Sequence, residues 1–158
     1  LLMRHPERAM TDPATIDDVL QRGTVCHLAM VDGERPYVVP LCYGYREGAL
    51  YIHCAREGHK VDVLRRNPAV CFEVSVDVEL RPASRPCRWS VRYRSVIGTG
   101  RATLVNAPDE VRAALDVIMG HYSVPPGKDC RYAYGEAALA NTLIIRIDVE
   151  SLSGKENR

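Results

Sequence analysis

The residues Tyr51-Ile52-His53-Cys54-Ala55-Arg56-Glu57-Gly58-His59-Lys60, closed seven positions on by Asn67-Pro68, are the densest set of groups in this chain that could do chemistry. An apolar, β-prone run ends on His53 and Cys54, and Gly58 then opens a short helix with His59 and Lys60 in its first turn. The first turn of a helix has amide N–H groups without partners and the positive end of the helix dipole. Basic side chains placed there make a seat for a phosphate monoester. His53 and Cys54, at the end of the preceding strand, would stand beside whatever ring that phosphate carries.

Each of these groups also has an ordinary reading. His53 could be a strand histidine satisfied by a neighbour, and Cys54 could be core filler, since free Cys packs as a small hydrophobe. Lys60 could be a solvated lysine, but the helix dipole opposes a cation in the first turn unless an anion is present. Arg94 could pair across strands with a carboxylate such as Glu73. His27 and His121 carry no functional assignment, and the dipole explains a His121 near a helix C-terminus.

The elements that must position these groups alternate unevenly. Asp12-Pro13 reads as an N-cap with Pro at the first helical position, and Gly23 ends a short helix whose Ile16, Val19 and Leu20 share one face. Residues 24–31 read as a strand, and Asp32-Gly33 is a hairpin signal. Residues 37–45 follow as a strand in which Pro40 implies an edge or a bulge. Arg46-Glu47-Gly48 turns the chain into residues 49–54, so the spacing predicts a three-strand antiparallel meander.

After the His59-Lys60 helix, Val70, Phe72, Val74 and Val76 alternate with Cys71, Glu73, Ser75 and Asp77 over a strand at residues 69–78. Residues 80–88 form a Pro-containing loop. Residues 89–105 are the longest strand, with Gly98 and Gly100 marking a bend or bulge. A helix is expected over 109–119, with Val111, Leu115 and Ile118 on one side and Glu110 to Arg112 as a solvated face. Residues 120–139 read as a loop with a helical turn near 136–139, and residues 142–149 as the last strand. Six or so strands with turn-rich spacing and a few short helices predict a mainly β fold, a small closed or split β-barrel.

The global numbers agree with one domain. The chain has 158 residues, 46% apolar and 26% charged, with a formal net charge of +1. That length supports a core without staples, and that charge gives no electrostatic reason to expect nucleic acid or an anionic membrane. A single domain is expected over 1–158, with 1–11 as a loosely held N-terminal extension. Leu1-Leu2-Met3-Arg4 does not read as a signal peptide, and no apolar run approaches the ~20 residues of a membrane span. A cytoplasmic protein is expected. Cys26, Cys42, Cys54, Cys71, Cys87 and Cys130 include no close pair of the kind structural zinc sites use, so reduced thiols and no metal are expected. There is no G-x-G-x-x-G and no P-loop, so a nucleotide cofactor would have to bind by another route.

In this order and spacing several motifs resemble the flavin-binding split-barrel group related to pyridoxamine 5′-phosphate oxidase, and within it the nitroimidazole-resistance (Nim) branch. They are Arg35-Pro36-Tyr37-Val38-Val39-Pro40-Leu41, Tyr51-Ile52-His53-Cys54, Gly58-His59-Lys60 with Asn67-Pro68, Tyr93-Arg94-Ser95-Val96-Ile97-Gly98-Thr99-Gly100, and Leu152-Ser153-Gly154-Lys155-Glu156-Asn157. The resemblance runs over residues 24–157. It implies a six-stranded antiparallel split barrel and a homodimer with two flavin mononucleotides (FMN) at the subunit interface. It places His53 and Cys54 on the flavin and matches His59 and Lys60 to the phosphate-binding pair. It lines the ring with main chain from Val39, Pro40 and Leu41, within residues 38–41, and brings Arg94 and Ser95 to the flavin held mainly by the other subunit. A His at the position of His53 would lie at the flavin edge where substrate sits. Trp89 and Tyr93 would be interface filler or ring-stacking partners.

The chain also departs from that pattern. The oxidases use an Arg-Lys pair where this chain has His59-Lys60, and histidine is only partly charged near neutrality. Their Lys after the apolar strand run is absent, and their C-terminal Arg segment that grips pyridoxal phosphate has no counterpart in residues 147–158, which disfavours vitamin B6 oxidation. The resemblance therefore implies an FMN-dependent oxidoreductase, possible acceptors including a nitroaromatic, with NAD(P)H or another reductant as donor and His53 as the catalytic group that orients or protonates the acceptor. Two other readings remain from the sequence: a protein that holds FMN, haem or a deazaflavin with little turnover, with His53 or His59 as an axial haem ligand, and an empty barrel acting as a dimeric interaction module.

Overall fold

In the computed structural model, described over residues 4–123 and 132–158, eight strands form one antiparallel sheet rolled into a split barrel. In chain order the strands are β1 (Ala9–Met10), β2 (Cys26–Asp32), β3 (Arg35–Leu41), β4 (Gly44–Arg46), β5 (Ala49–Ala55), β6 (Ala69–Arg81), β7 (Ser90–Val105) and β8 (Thr142–Asn157). Four α-helices accompany them: α1 (Pro13–Arg22), α2 (His59–Arg66), α3 (Pro108–Tyr122) and α4 (Glu136–Asn141). The sheet runs β3-β2-β6-β7-β8-β5-β4, with β1 on β8. Six long strands make the barrel expected from the sequence, and the two short ones, β1 and β4, are additions to it. Ala9 and Met10, inside the stretch expected to be a loose extension, pair with Lys155 and Gly154, and Met10 is buried.

Local chemistry explains most boundaries. Asp12 Oδ1 accepts from the N–H of Ala14 at 3.2 Å, capping α1 ahead of its Pro13. Glu47 and Gly48, with φ of 49° and 76°, form the tight turn between β4 and β5. Asn67 ends α2 one residue before Pro68, which cannot continue a helix. In β6 every second side chain from Val70 to Val76 is buried, the period of two that one covered sheet face requires. Asp77, at φ 56°, breaks that ladder as a bulge, and a second register shift lies between Thr99 and Gly100.

The expected meander does not form. The run 37–45 is two strands, β3 and β4, that lie at opposite ends of the sheet order. Tyr43, between them, is fully buried. Its hydroxyl donates to the Leu20 carbonyl at 2.6 Å, and its N–H donates to the Tyr122 hydroxyl at 2.9 Å. Gly44 lies against the backbone of α3, where a Cβ would meet Ile118. These contacts draw the chain out of one ladder and across the barrel mouth. The other differences are extensions: β6 runs to Arg81, and β8 continues past Val149 to Asn157, where it pairs with β7. Residues 124–131, in the stretch read as a loop, and Cys130 with them, lie outside the described residues.

The barrel interior holds the main core: Leu28, Met30, Leu50, Ile52, Phe72, Val74, Val96, Ile145 and Ile147 are among its fully or almost fully buried members. Burial of each is worth about 1.5–3 kcal/mol against exposure. Val19 and Leu20 of α1 join that core at the Cys26 end of β2; Val63 and Leu64 of α2 join it at the Asp32 end. A second cluster packs Val111, Ala114 and Ile118 of α3, with Leu139 of α4, on Ile144. No described helix is long and apolar enough to cross a membrane.

Candidate functional site

The split in the barrel positions the groups read from the sequence. Among the described residues β3 pairs only with β2, which leaves its other edge open. β5 pairs with β8 along its whole length, but with β4 only through Ala49, Leu50 and Tyr51, which leaves residues 52–55 with an open edge as well. Val39, Pro40 and Leu41 lie on the first open edge, His53 and Cys54 on the second. α2 starts beside this gap, and a cavity of about 220 Å³ there is lined by Tyr37, Cys54, Glu57, Gly58, His59 and Lys60, among others.

The start of α2 is capped by backbone alone. Gly58, at φ 132°, is the N-cap and brings no side chain to it. Its carbonyl accepts from Val61 and Asp62 at 2.9 and 3.1 Å, and among the described residues no backbone carbonyl takes the N–H of His59 or Lys60. Lys60 is half-buried and forms no ion pair among the described residues. Its ammonium lies close enough to the Cys54 thiol to act on it: burial pushes that thiol up, and Lys60 draws it back in part.

His59 is held differently from the sequence reading. Its Nε2 lies 3.1 Å from Oδ2 of Asp32, and Arg66 donates to Oδ1 of the same carboxylate at 2.7 Å. Tyr37 meets the imidazole edge to face, ring centres 4.9 Å apart. Sequence reasoning missed Asp32, Arg66 and Tyr37 as site residues. Asp32 was visible only as half of a turn signal, and nothing local says that the tip of the β2–β3 hairpin lands on α2.

His53 and Cys54 share a strand end but not a face. Cys54 turns inward with Leu50 and Ile52, whereas His53 is exposed on the outer face, in line with Tyr51. Only at an open edge can one ligand meet both. Arg94 and Ser95 are elsewhere in this chain. Register places His53 opposite Ile144 but Arg94 opposite Glu156, roughly 40 Å further along β8 at ~3.3 Å per residue. Arg94 donates from Nε to Glu156 at 3.3 Å and lies 3.9 Å from both Asp18 and Asp77; Glu73, the partner weighed from the sequence, bonds His27 at 3.0 Å instead. Ser95 sits between Ser75 and Lys155 in the ladder. Trp89 is exposed and donates from its indole to the Ala83 carbonyl at 2.8 Å.

His121 and Cys26 do not line the cavity beside α2. His121 lies in the last turn of α3, as read from the sequence, but is buried, and burial lowers its pKa. Burial pushes the Cys26 thiol up to about 12. The five described cysteines are free, and among the described residues no group of three or more His, Cys, Asp and Glu could hold a metal ion.

Comparison with known proteins gives this geometry a context. The family model described as pyridoxamine 5′-phosphate oxidase matches residues 12–156. The chain is similar to a structure from Bacteroides thetaiotaomicron, provisionally named a 5-nitroimidazole antibiotic resistance protein, at 32% identity and TM-score 0.80, covering 94% of this chain and 86% of that one. A flavocytochrome from Azotobacter vinelandii shares the fold at 19% identity and TM-score 0.82, over 99% and 72% of the two chains. So does an FAD- and haem-binding protein from Mycobacterium smegmatis, at 22% and 0.83, over 96% and 74%. An uncharacterised protein from Rhizobium meliloti is 29% identical over 83 residues, 52% of this chain; the chain thus matches only about half, 48%, of that curated relative's length.

Proposed function

This chain belongs to the pyridoxamine 5′-phosphate oxidase family, and from that premise we propose that it is an FMN-dependent oxidoreductase that reduces a small electrophile, a nitroaromatic such as a 5-nitroimidazole, as a homodimer. One observation carries the reading: a helix start whose first amides, among the described residues, meet no backbone carbonyl, with Lys60 in no ion pair among them, at the mouth of a gap between two open strand edges. That donor set fits a phosphate monoester attached to a flat ring with polar edges. Amides of α2 and the Lys60 ammonium hold the phosphate. The open main chain of Val39, Pro40 and Leu41, with Cys54, borders the ring. Bound flavin supplies hydride chemistry with an external reductant such as NAD(P)H.

The chain's own groups then bind and orient. His53, exposed beside the ring's edge, holds the acceptor and gives it a proton, a role suited to a side chain that changes charge near neutrality. Arg94 and Ser95 serve the site of the second subunit, which their distance from His53 along β8 favours. The outer face of β2, β3, β6 and β7 supports a dimer. Pro40, His27, Glu73 and Ile97 form one cross-strand row there, and Val38, Ala29, Cys71 and Thr99 the next. Val31, Val38 and Ile97 are exposed apolar residues on it. The name given to the Bacteroides relative supports a nitroaromatic acceptor.

The absorption spectrum of the purified protein, followed by release of the chromophore and addition of NADH or NADPH, tests the proposal. Flavin bands that bleach with a reductant and return on adding a nitroimidazole support it. A Soret band, or a flavin that no donor reduces, replaces it with a haem-handling or flavin-holding role.

A further inference from the structure

A second cavity, of about 220 Å³, lies between α3 and the outer face of the sheet, on the β8 side of His53. Its floor comes from the cross-strand row of His53 itself: Ile144 lies opposite His53 on β8, and Val105 opposite Ile144 on β7. The next row brings Tyr51 and, opposite it, Arg146. The roof is α3, where Ala113 and Ala114 leave space that longer side chains would take. The cavity therefore begins one strand spacing, ~4.8 Å, from His53, and Arg146 belongs to the row two residues, ~7 Å, further along β5.

Apolar groups above and below suit a flat ring, and the cations suit an acid. Nε of Arg146 donates to Oδ1 of Asp148 at 2.9 Å, and its Nη2 lies 2.7 Å from the same oxygen, which holds the guanidinium in place. Arg46 of β4 adds a second guanidinium to the lining, against one carboxylate, that of Glu110. A planar guanidinium matches a planar carboxylate through paired N–H donors. The volume is below the ~300 Å³ at which pockets begin to hold drug-sized ligands, so the occupant is small.

We propose that the cavity beneath α3 seats the carboxylate end of the acceptor, so that the substrate class is a small aromatic acid: its reducible group stands at His53 and its carboxylate meets Arg146, with Arg46 beside it. The inference rests on the flavin reading above and adds which acceptors the site prefers. A ring substituted at opposite ends joins the two rows, whereas a neutral acceptor of the same shape gains nothing from the guanidinium groups.

Calorimetric titration of the flavin-loaded protein with 4-nitrobenzoate and with its neutral amide, 4-nitrobenzamide, tests this. The acid is expected to bind about tenfold more tightly than the amide, the scale of a charge-assisted pair. Arg146→Gln, at an exposed strand position, should remove that preference by weakening the acid alone. Ala113→Leu, on an exposed helix position that favours leucine, should weaken both by filling the mouth of the cavity. When the two compounds reoxidise the reduced flavin, the loss in Arg146→Gln should fall on KM for the acid and leave kcat unchanged, because the reacting end is untouched. Equal affinity for acid and amide in the parent protein, or a preference that survives Arg146→Gln, overturns the inference and leaves the flavin reading standing. A protein that takes up no flavin overturns the flavin reading and the acceptor role together, even where Arg146 still binds the acid.

Discussion

Nε2 of His121 donates to the carbonyl of Gly23 at 2.7 Å, tying the last turn of α3 to the end of α1. Tyr43 and Tyr122 pack on the imidazole at 4.6 and 5.0 Å, and its buried Nδ1 has no hydrogen-bond partner among the described residues. A proton on Nδ1 would therefore be a donor with nothing to accept it.

This arrangement predicts acid sensitivity. Burial lowers the His121 pKa below 6.5, so the unfolded chain binds its proton more readily than the folded one. The stability that His121 contributes is present above pH 6.5 and is lost as pH falls through the lower folded value. Thermal unfolding midpoints should drop between about pH 7 and about pH 5.5, before most carboxylates titrate. His121→Gln keeps a donor for Gly23 and should flatten that slope. An equal slope in the variant would assign the acid sensitivity to another group.

Phe72 and Gly98 face each other across β6 and β7, and a Cβ on Gly98 would lie inside contact distance of the Phe72 ring. Gly98→Ala should destabilise the barrel by about 1–3 kcal/mol through overpacking. Phe72→Leu in the same chain should recover part of the loss, because the two residues share one space. Urea unfolding of both singles and the double variant measures the coupling; strictly additive effects would mean that the ring does not meet the new methyl group.

Local signals were enough to read most elements here. The Asp12 cap, the alternation through Val70, Phe72, Val74 and Val76, and Asn67-Pro68 each act within a few residues, so each was legible in the sequence. What was not legible depends on distant partners. Tyr43 leaves its ladder because of Leu20 and Tyr122, and β8 continues past Val149 because β7 is there to pair with it. The site divides in the same way. Gly58-His59-Lys60 told where α2 starts, whereas Asp32 meets His59 from the tip of a hairpin, and no sequence spacing encodes that contact.

Lys60 and His53 should separate binding from turnover. Lys60→Met removes the ammonium and should weaken FMN about tenfold or more while sparing riboflavin, because charge-assisted bonds to the phosphate are lost. His53→Ala should leave most flavin binding intact and lower turnover roughly 100-fold, the scale of a lost general acid. Fluorescence titration and stopped-flow reoxidation distinguish the two. Full turnover in His53→Ala would remove that histidine from the mechanism.

The exposed outer face of the sheet should close on a second copy. Val38 is 60% exposed and Ile97 44%, on neighbouring cross-strand rows. Val38→Asp or Ile97→Asp puts a carboxylate in the middle of that face, and burying it unpaired costs several kcal/mol, about 3–5. Both side chains already meet water in the single chain, so the fold itself should survive, which circular dichroism can check. Sedimentation velocity should then show a dimer for the parent protein and monomer for each variant at micromolar concentration. Flavin should be lost together with the dimer, because in the proposed dimer Arg94 and Ser95 reach the site from the partner. A variant that becomes monomeric yet keeps its flavin would place the whole cofactor site within one chain and leave Arg94 to its ion pair with Glu156.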